Sequence, residues 1–129
     1  MMHAKGTFDV TVAPLEFHTK AEPTLGRMSI TKVLHGDLEG TGNGEMLTAG
    51  SSVSGSAAYV AVERITGTLG GRKGAFSAHH VGVMTRGTPS LSIAIVPDSG
   101  SEGLTGIAGT IKIDIVDGKH LYEIDYTLP

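Results

Sequence analysis

Residues 59–80 read YVAVERITGTLGGRKGAFSAHH, with a Gly-Gly pair near the middle. The residues on either side of Gly70-Gly71 follow a period of two, as in strands whose successive side chains point to opposite faces. A Gly-Gly pair between two such stretches is typical of a hairpin turn, because glycine adopts positive φ angles easily. The stretch therefore predicts two antiparallel strands joined by a tight turn.

The same period of two runs through most of the chain. It predicts about eight strands, separated by turn signals such as Asp117-Gly118, which joins the last two. No window of eleven residues holds a helical apolar stripe with caps, so no helix is expected. The predicted strands are Thr7–Val12, Met28–Leu34, Leu38–Leu47, Ala57–Thr66, Phe76–Thr85, Leu91–Val96, Thr110–Ile115 and Lys119–Leu128, with a loop over Ala13–Leu25.

Three alternating stretches predict the core. Their apolar positions are expected to face inward while the residues between them face water. These stripes are Phe8, Val10 and Val12, then Ile111, Ile113 and Ile115, and finally Tyr122, Ile124, Tyr126 and Leu128.

Eight strands without helices form either a sandwich or a barrel. An immunoglobulin sandwich needs cysteine and tryptophan, and the chain has neither. Its 19 glycines favour a barrel, because closing a small sheet requires tight bends. Gly40, Gly42 and Gly44 leave one face of their strand bare, so either another backbone packs there or the face lines a cavity. We predict an all-β fold: one closed antiparallel β-barrel, forming a single domain over residues 1–129.

Composition excludes several classes of protein. A hydrophobic fraction of 40% with 18% charged residues is not that of a disordered chain. The absence of cysteine excludes disulfides and thiolate metal sites. A net charge of −3 and the absence of tryptophan disfavour nucleic-acid partners. No signal peptide and no apolar stretch of about 20 residues is visible, so we expect a cytoplasmic protein without membrane partners.

The region around the hairpin carries a resemblance. It contains Tyr-x-Ala-x-Glu at residues 59–63, Gly-x-Leu-x-Gly-Arg-x-Gly-x-Phe at residues 67–76, and His80 four residues after the phenylalanine. With Leu104–Thr110 and Ile124–Tyr126, this pattern resembles a bacterial family of uncharacterised small proteins over nearly the whole chain. The resemblance implies a fold similar to that of plant allene oxide cyclases, usually in oligomers. A shared fold does not carry the cyclase activity over.

The hairpin register decides which side chains form a site. A two-residue loop pairs Ala61 with His80 and Glu63 with Ala78, which puts Glu63 and His80 on one face about 7–8 Å apart on a diagonal. A four-residue loop places Glu63 directly opposite His80. A three-residue loop brings in His79 instead, because one step of register changes the face.

Two of these three registers bring Tyr59, Glu63 and His80 together. Glu63 and His80 are the candidate acid–base pair, with the pKa of Glu63 raised by burial. Tyr59 would orient a ligand oxygen, and the small Ala61 and Ala78 would leave room for a ligand. Arg72 completes the candidate ligand-binding residues. The alternative is a satisfied polar pair that braces the barrel interior.

No cofactor and no metal site are predicted, because His79 and His80 point to opposite faces and the other histidines lie on separate segments. Three functions remain open. The first is a module that binds a small apolar or amphipathic molecule inside the barrel. The second is a cofactor-free cyclase- or isomerase-like enzyme that uses Glu63 and His80. The third is an assembly protein with a plugged barrel. An outer face of Val60, Val62, Val81 and Val83 predicts a homodimer or larger homo-oligomer.

Overall fold

The computed structural model describes residues 1–19 and 22–129 and consists of strands, turns and loops. Nine strands follow one another along the chain. They are β1 (Met2–Leu15), β2 (Leu25–Gly36), β3 (Leu38–Ala49), β4 (Ala57–Leu69), β5 (Arg72–Thr85), β6 (Thr88–Ile95), β7 (Ser101–Glu102), β8 (Ala108–Val116) and β9 (Lys119–Thr127).

Eight of these strands close into an antiparallel barrel. The wall follows the order β1-β2-β3-β4-β5-β6-β8-β9, and β9 pairs with β1 to complete the circle. The two-residue β7 pairs with the beginning of β5 and is an addition to the barrel. The predicted all-β barrel is confirmed. Several strands are longer than predicted, and β1 and β2 take up both ends of the expected 13–25 loop, in which Lys20 and Ala21 lie outside the described residues.

The β4–β5 hairpin has the two-residue turn. Leu69 pairs with Arg72 across Gly70 and Gly71, whose φ angles are +58° and +81°. Two successive positive φ angles are typical of a two-residue hairpin turn, and glycine adopts them at no steric cost. This register pairs Ala61 with His80 and Glu63 with Ala78, as the two-residue-loop alternative predicts.

One end of the barrel is filled by apolar side chains. Leu38, Leu69 and Phe76 lie fully buried there. The segment between β6 and β8 folds across this end and adds Leu104 and Ile107, which are also fully buried. We call this the closed end, and the opposite end, where β4 begins and β5 finishes, the mouth.

The predicted core stripes are correct only towards the closed end. Tyr122, Ile124 and Tyr126 are buried. The predictions for Val12 and Ile115 are wrong, since these residues are 41% and 62% exposed. Both belong to the correct, inward-facing set of their strands, but they lie at the mouth, beyond the filled half of the barrel. Alternation predicts which side chains of a strand point into the barrel. It does not predict how far along the barrel axis the interior is packed.

The wall has one sparsely paired junction. Strands β6 and β8 pair only through Ile93 with Ile111 and Ala94 with Thr110. The neighbouring β5–β6 pair runs over eight residues, from Ala78–Ile95 to Thr85–Thr88. Towards the mouth, β6 carries Pro89, which has no N–H to donate to a neighbouring strand. Among the described residues there is no helix long and apolar enough to cross a membrane.

Candidate functional site

Three titratable side chains meet inside the barrel. Lys32 Nζ lies 3.0 Å from Glu63 Oε2 and 3.2 Å from Glu63 Oε1, and it donates a hydrogen bond to each. His80 Nε2 lies 2.6 Å from Glu63 Oε2. All three residues are buried, with exposed fractions of 4–7%. The structure thus brings together the predicted Glu63 and His80 and adds a lysine, forming what we call the buried cluster of Lys32, Glu63 and His80.

The glycines of β3 make this cluster possible. Lys32 belongs to β2 and Glu63 to β4, with β3 between them. A side chain at Gly44 would start 2.1 Å from the Val62 carbonyl oxygen, so no side chain fits there. At Gly42 a Cβ would lie 3.5 Å from Lys32 Cβ and 3.6 Å from Glu63 Oε1. The bare face of β3 is therefore the space in which lysine and carboxylate meet.

Lys32 also contacts an aromatic ring. Its Nζ lies 5.0 Å from the centroid of the Phe8 ring, within the range of a cation–π interaction. Lys32 was not among the site residues predicted from the sequence. The signal was present, because Lys32 shares its strand face with Ile30 and Leu34, both 5% exposed. A lysine at an inward position of an apolar stripe needs a buried carboxylate.

The contact between His80 and Glu63 is short but poorly directed. The imidazole Nε2 is buried and makes no aligned hydrogen bond to any part of the chain that the structure describes. At 2.6 Å from the carboxylate, it is held by proximity to the charge rather than by a well-oriented N–H. Lys32 is therefore the better-oriented partner of Glu63.

The prediction that burial raises the pKa of Glu63 is wrong. Burial does act in that direction, but the close contact with His80 and the positive charge of Lys32 outweigh it and lower the pKa of the Glu63 carboxyl. The physical reason is that the close contact with His80 and the unforeseen ammonium group of Lys32, an opposite charge at hydrogen-bond distance, together favour the ionised carboxylate. Glu63 is thus an ion-paired carboxylate at neutral pH.

Tyr59 stands between the buried cluster and the mouth. Its ring centroid lies 6.5 Å from that of His80, and a Cβ at its partner Gly82 would lie 2.2 Å from Tyr59 Cε1. The ring therefore rests against the bare backbone of Gly82. Burial, followed by the charge of Glu63, raises the pKa of the Tyr59 hydroxyl.

The other candidate residues differ in position. Ala61 pairs directly with His80, and Ala78 pairs with Glu63, so both small side chains border the buried cluster. Arg72 does not join them. It is exposed at the hairpin turn, eight residues along β5 from His80, which is about 26 Å of extended strand.

The space inside the barrel divides at the buried cluster. On the side of the closed end, a void of about 20 Å³ bordered by Lys32, Glu63 and His80 is the size of one water molecule. On the other side, a cavity of about 910 Å³ opens at the mouth and is mainly apolar. It is lined by residues that include Leu25, Tyr59, Met84, Leu91 and Ile115.

The outside of the β4–β5 hairpin is apolar near the mouth. Val60, Val62, Val81 and Val83, which we call the outer valine face, are 42–61% exposed. Val60 and Val81 are direct cross-strand partners. Val60, Val62 and Val81 alternate with the buried Ala61, Glu63 and His80, so these three valines point outward as predicted. Val83 also borders the cavity at the mouth.

Among residues 1–19 and 22–129, no three His, Asp or Glu side chains are placed to hold a metal ion. The buried cluster has one carboxylate and one imidazole, and its third member is a lysine that already donates to that carboxylate.

Comparisons with other proteins agree with the fold. A crystal structure of a protein of unknown function from the DUF3224 family of Shewanella oneidensis MR-1 superimposes with a TM-score of 0.94 at 41% sequence identity. The alignment covers 100% of this chain and 98% of the other. No curated protein matches. The family model described as "Protein of unknown function (DUF3224)" matches residues 4–126. The resemblance to a family of uncharacterised proteins is thereby confirmed, and the chain belongs to the DUF3224 family.

Proposed function

We propose that this protein binds a small apolar or amphipathic molecule in the mouth of its barrel. The observation that carries the proposal is the mainly apolar cavity of about 910 Å³ at the mouth, which Tyr59 borders. Small-molecule pockets in proteins have volumes of about 300–1,000 Å³ and combine apolar walls with a few polar groups. The half-buried Tyr59 supplies such a group at the inner end.

The mouth, and not the whole lumen, is the proposed site. Below the buried cluster the void of about 20 Å³ leaves no room for an organic ligand. Tyr59 borders the cavity next to the buried cluster, so in this proposal Glu63 lies behind Tyr59, held by Lys32, rather than surrounded by ligand.

The acid–base enzyme is the weaker alternative. A general base works best when its pKa lies near the working pH. Glu63 has a lowered pKa and is covered by Lys32 and His80, which makes it a poor base at neutral pH. No cofactor is required by the proposal. A homo-oligomer, a cytoplasmic location and the likeness to plant allene oxide cyclases stay predictions.

The test is binding of a neutral apolar dye, N-phenyl-1-naphthylamine, followed by fluorescence. We expect saturable binding to the wild type and strong weakening in Met84→Asp, which puts a charge on the mouth wall. Val81→Asp is the matched control, because Val81 has a similar exposure but lies on the outer valine face. A wild type that binds no dye, or equal losses in the two variants, would refute the proposal.

Native mass spectrometry of gently purified protein is the complementary measurement. A retained small molecule, extracted into solvent and identified, would give the chemical class of the natural ligand. The same spectra report the number of subunits.

A further inference from the structure

The inner end of the mouth offers one hydrogen-bonding group without a protein partner. No hydrogen bond joins the Tyr59 hydroxyl to a described residue, although its ring is fixed against Gly82 and His80. The aromatic ring restricts where the hydroxyl can lie, because two torsions define its position. A ligand in the mouth thus meets a fixed polar atom at the inner end of apolar walls.

The charges of Lys32 and Glu63 near this hydroxyl already compensate each other. Lys32 and Glu63 form a buried ion pair in which both carboxylate oxygens accept from the same ammonium group. A charged ligand group placed beside them would lose its hydration and gain no free counter-charge. An anion would also approach the Glu63 carboxylate, whose charge acts on Tyr59. A cation would approach Lys32.

Tyr59 remains a neutral donor. Burial and the nearby carboxylate both raise the pKa of its hydroxyl, so that it keeps its proton over the whole physiological pH range. A neutral O–H with no protein acceptor is best matched by an uncharged oxygen acceptor, such as a carbonyl or an ether.

We infer that the mouth selects an uncharged amphipathic molecule whose carbonyl or ether oxygen accepts a hydrogen bond from Tyr59, and that it discriminates against carboxylates and amines. This inference rests on the proposed function and adds the chemical class of the ligand. Tyr59 is the specificity-determining residue, and the nearby ion pair of Lys32 and Glu63 offers no free counter-charge to a charged ligand.

The test uses four naphthalene derivatives of similar shape: 2-acetylnaphthalene, 2-ethylnaphthalene, 2-naphthoate and 2-naphthylmethylamine. Each competes with the neutral dye at pH 7. We expect the ketone to bind about three- to tenfold more tightly than the ethyl compound, the range that one hydrogen bond supplies. Both charged compounds should bind more weakly than the ketone.

Tyr59→Phe is the matched variant, because it removes the hydroxyl and keeps the ring against Gly82. It should abolish the advantage of the ketone and leave the affinity for 2-ethylnaphthalene unchanged. An unchanged ratio in the variant, or a carboxylate or amine that binds best, would overturn the inference while dye binding still supports a ligand site. Failure of the wild type to bind the dye would instead remove the proposed function itself.

Discussion

Lys32 Nζ on β2 lies within 3.2 Å of both Glu63 oxygens on β4, and the two side chains meet over Gly42 of the intervening strand. This relationship joins three neighbouring strands through one buried ion pair. It connects the fold of the barrel to the inner end of its mouth, and its energetics can be measured directly.

We expect Lys32→Met and Glu63→Gln each to destabilise the protein by about 3–5 kcal/mol, because each leaves one partner buried without its counterpart. The double variant should be less destabilised than the sum of the two. Urea unfolding of the four proteins measures the coupling. Glu45→Gln is the control, since it breaks the exposed Arg27–Glu45 pair and should change stability little. Additive effects of the two core substitutions would contradict the coupling.

The ion pair of Lys32 and Glu63 predicts that the free energy of unfolding falls at acid pH. The pKa of Glu63 is lower in the folded protein than its usual value of about 4.3, so the folded state favours the ionised form. The resulting stabilisation is complete above the unfolded pKa and is lost as the pH falls through the folded one. Unfolding free energies measured from pH 7 to pH 3 should decrease more steeply for the wild type than for the Lys32→Met/Glu63→Gln double variant. Parallel curves would contradict this prediction.

Substitutions at Gly42 test the space over β3. Gly42→Ala should fold with little loss, because its Cβ would make ordinary contacts of 3.5–3.6 Å with the neighbouring side chains. Gly42→Leu should be strongly destabilising, because the larger side chain enters the space of Lys32 and the Glu63 carboxylate. Thermal unfolding compares the two variants. A leucine variant as stable as the alanine variant would show that the space above β3 is not filled by the ion pair.

Two isoleucines on the same face of β8 lie at different depths in the barrel, so they test how depth affects the contribution of a side chain to stability. Ile111→Ala should cost about 2–5 kcal/mol, since Ile111 is 9% exposed and packs in the core. Ile115→Ala should cost much less, because Ile115 is 62% exposed at the mouth. The two positions share a strand face and a residue type, so each is the control of the other. Equal losses in urea unfolding would mean that the mouth is packed in solution.

The outer valine face predicts self-association. Val62→Lys should shift the protein towards the monomer in sedimentation-velocity experiments, because it replaces one of the four exposed valines by a charge beside the other three. Thr66→Lys is the control, since it adds the same charge at an exposed position farther along β4. A wild type that sediments as a monomer at high concentration would disprove the predicted homo-oligomer.

The sequence predicted the hairpin at Gly70-Gly71 but left three loop lengths open, and the structure has the two-residue turn, which determines the pairs along β4 and β5. Glu63 and His80 were predicted together because two of those three loop lengths place them on one face. Lys32 was missed because its contact spans two strands, and a search within one hairpin does not reach it. The predicted direction of the Glu63 pKa shift was also wrong, because the contacts with His80 and Lys32 together outweigh the effect of burial. The exposure of Ile115 was missed because a period of two carries no information on depth along the barrel.

The pairing of β9 with β1 has a consequence for the newly made chain. Most wall strands pair with the strand that precedes or follows them along the chain, so both partners are synthesised within a short time of each other. Strand β1 pairs on one side with β9, from Met2 opposite Tyr126 to Phe8 opposite His120. During synthesis its backbone therefore stays a free edge until more than a hundred further residues have emerged, and free edges recruit other chains. Strand β1 carries the charged residues Lys5 and Asp9. Charged side chains on an unpaired edge strand discourage pairing with other chains, so these two residues protect β1 until β9 has been synthesised.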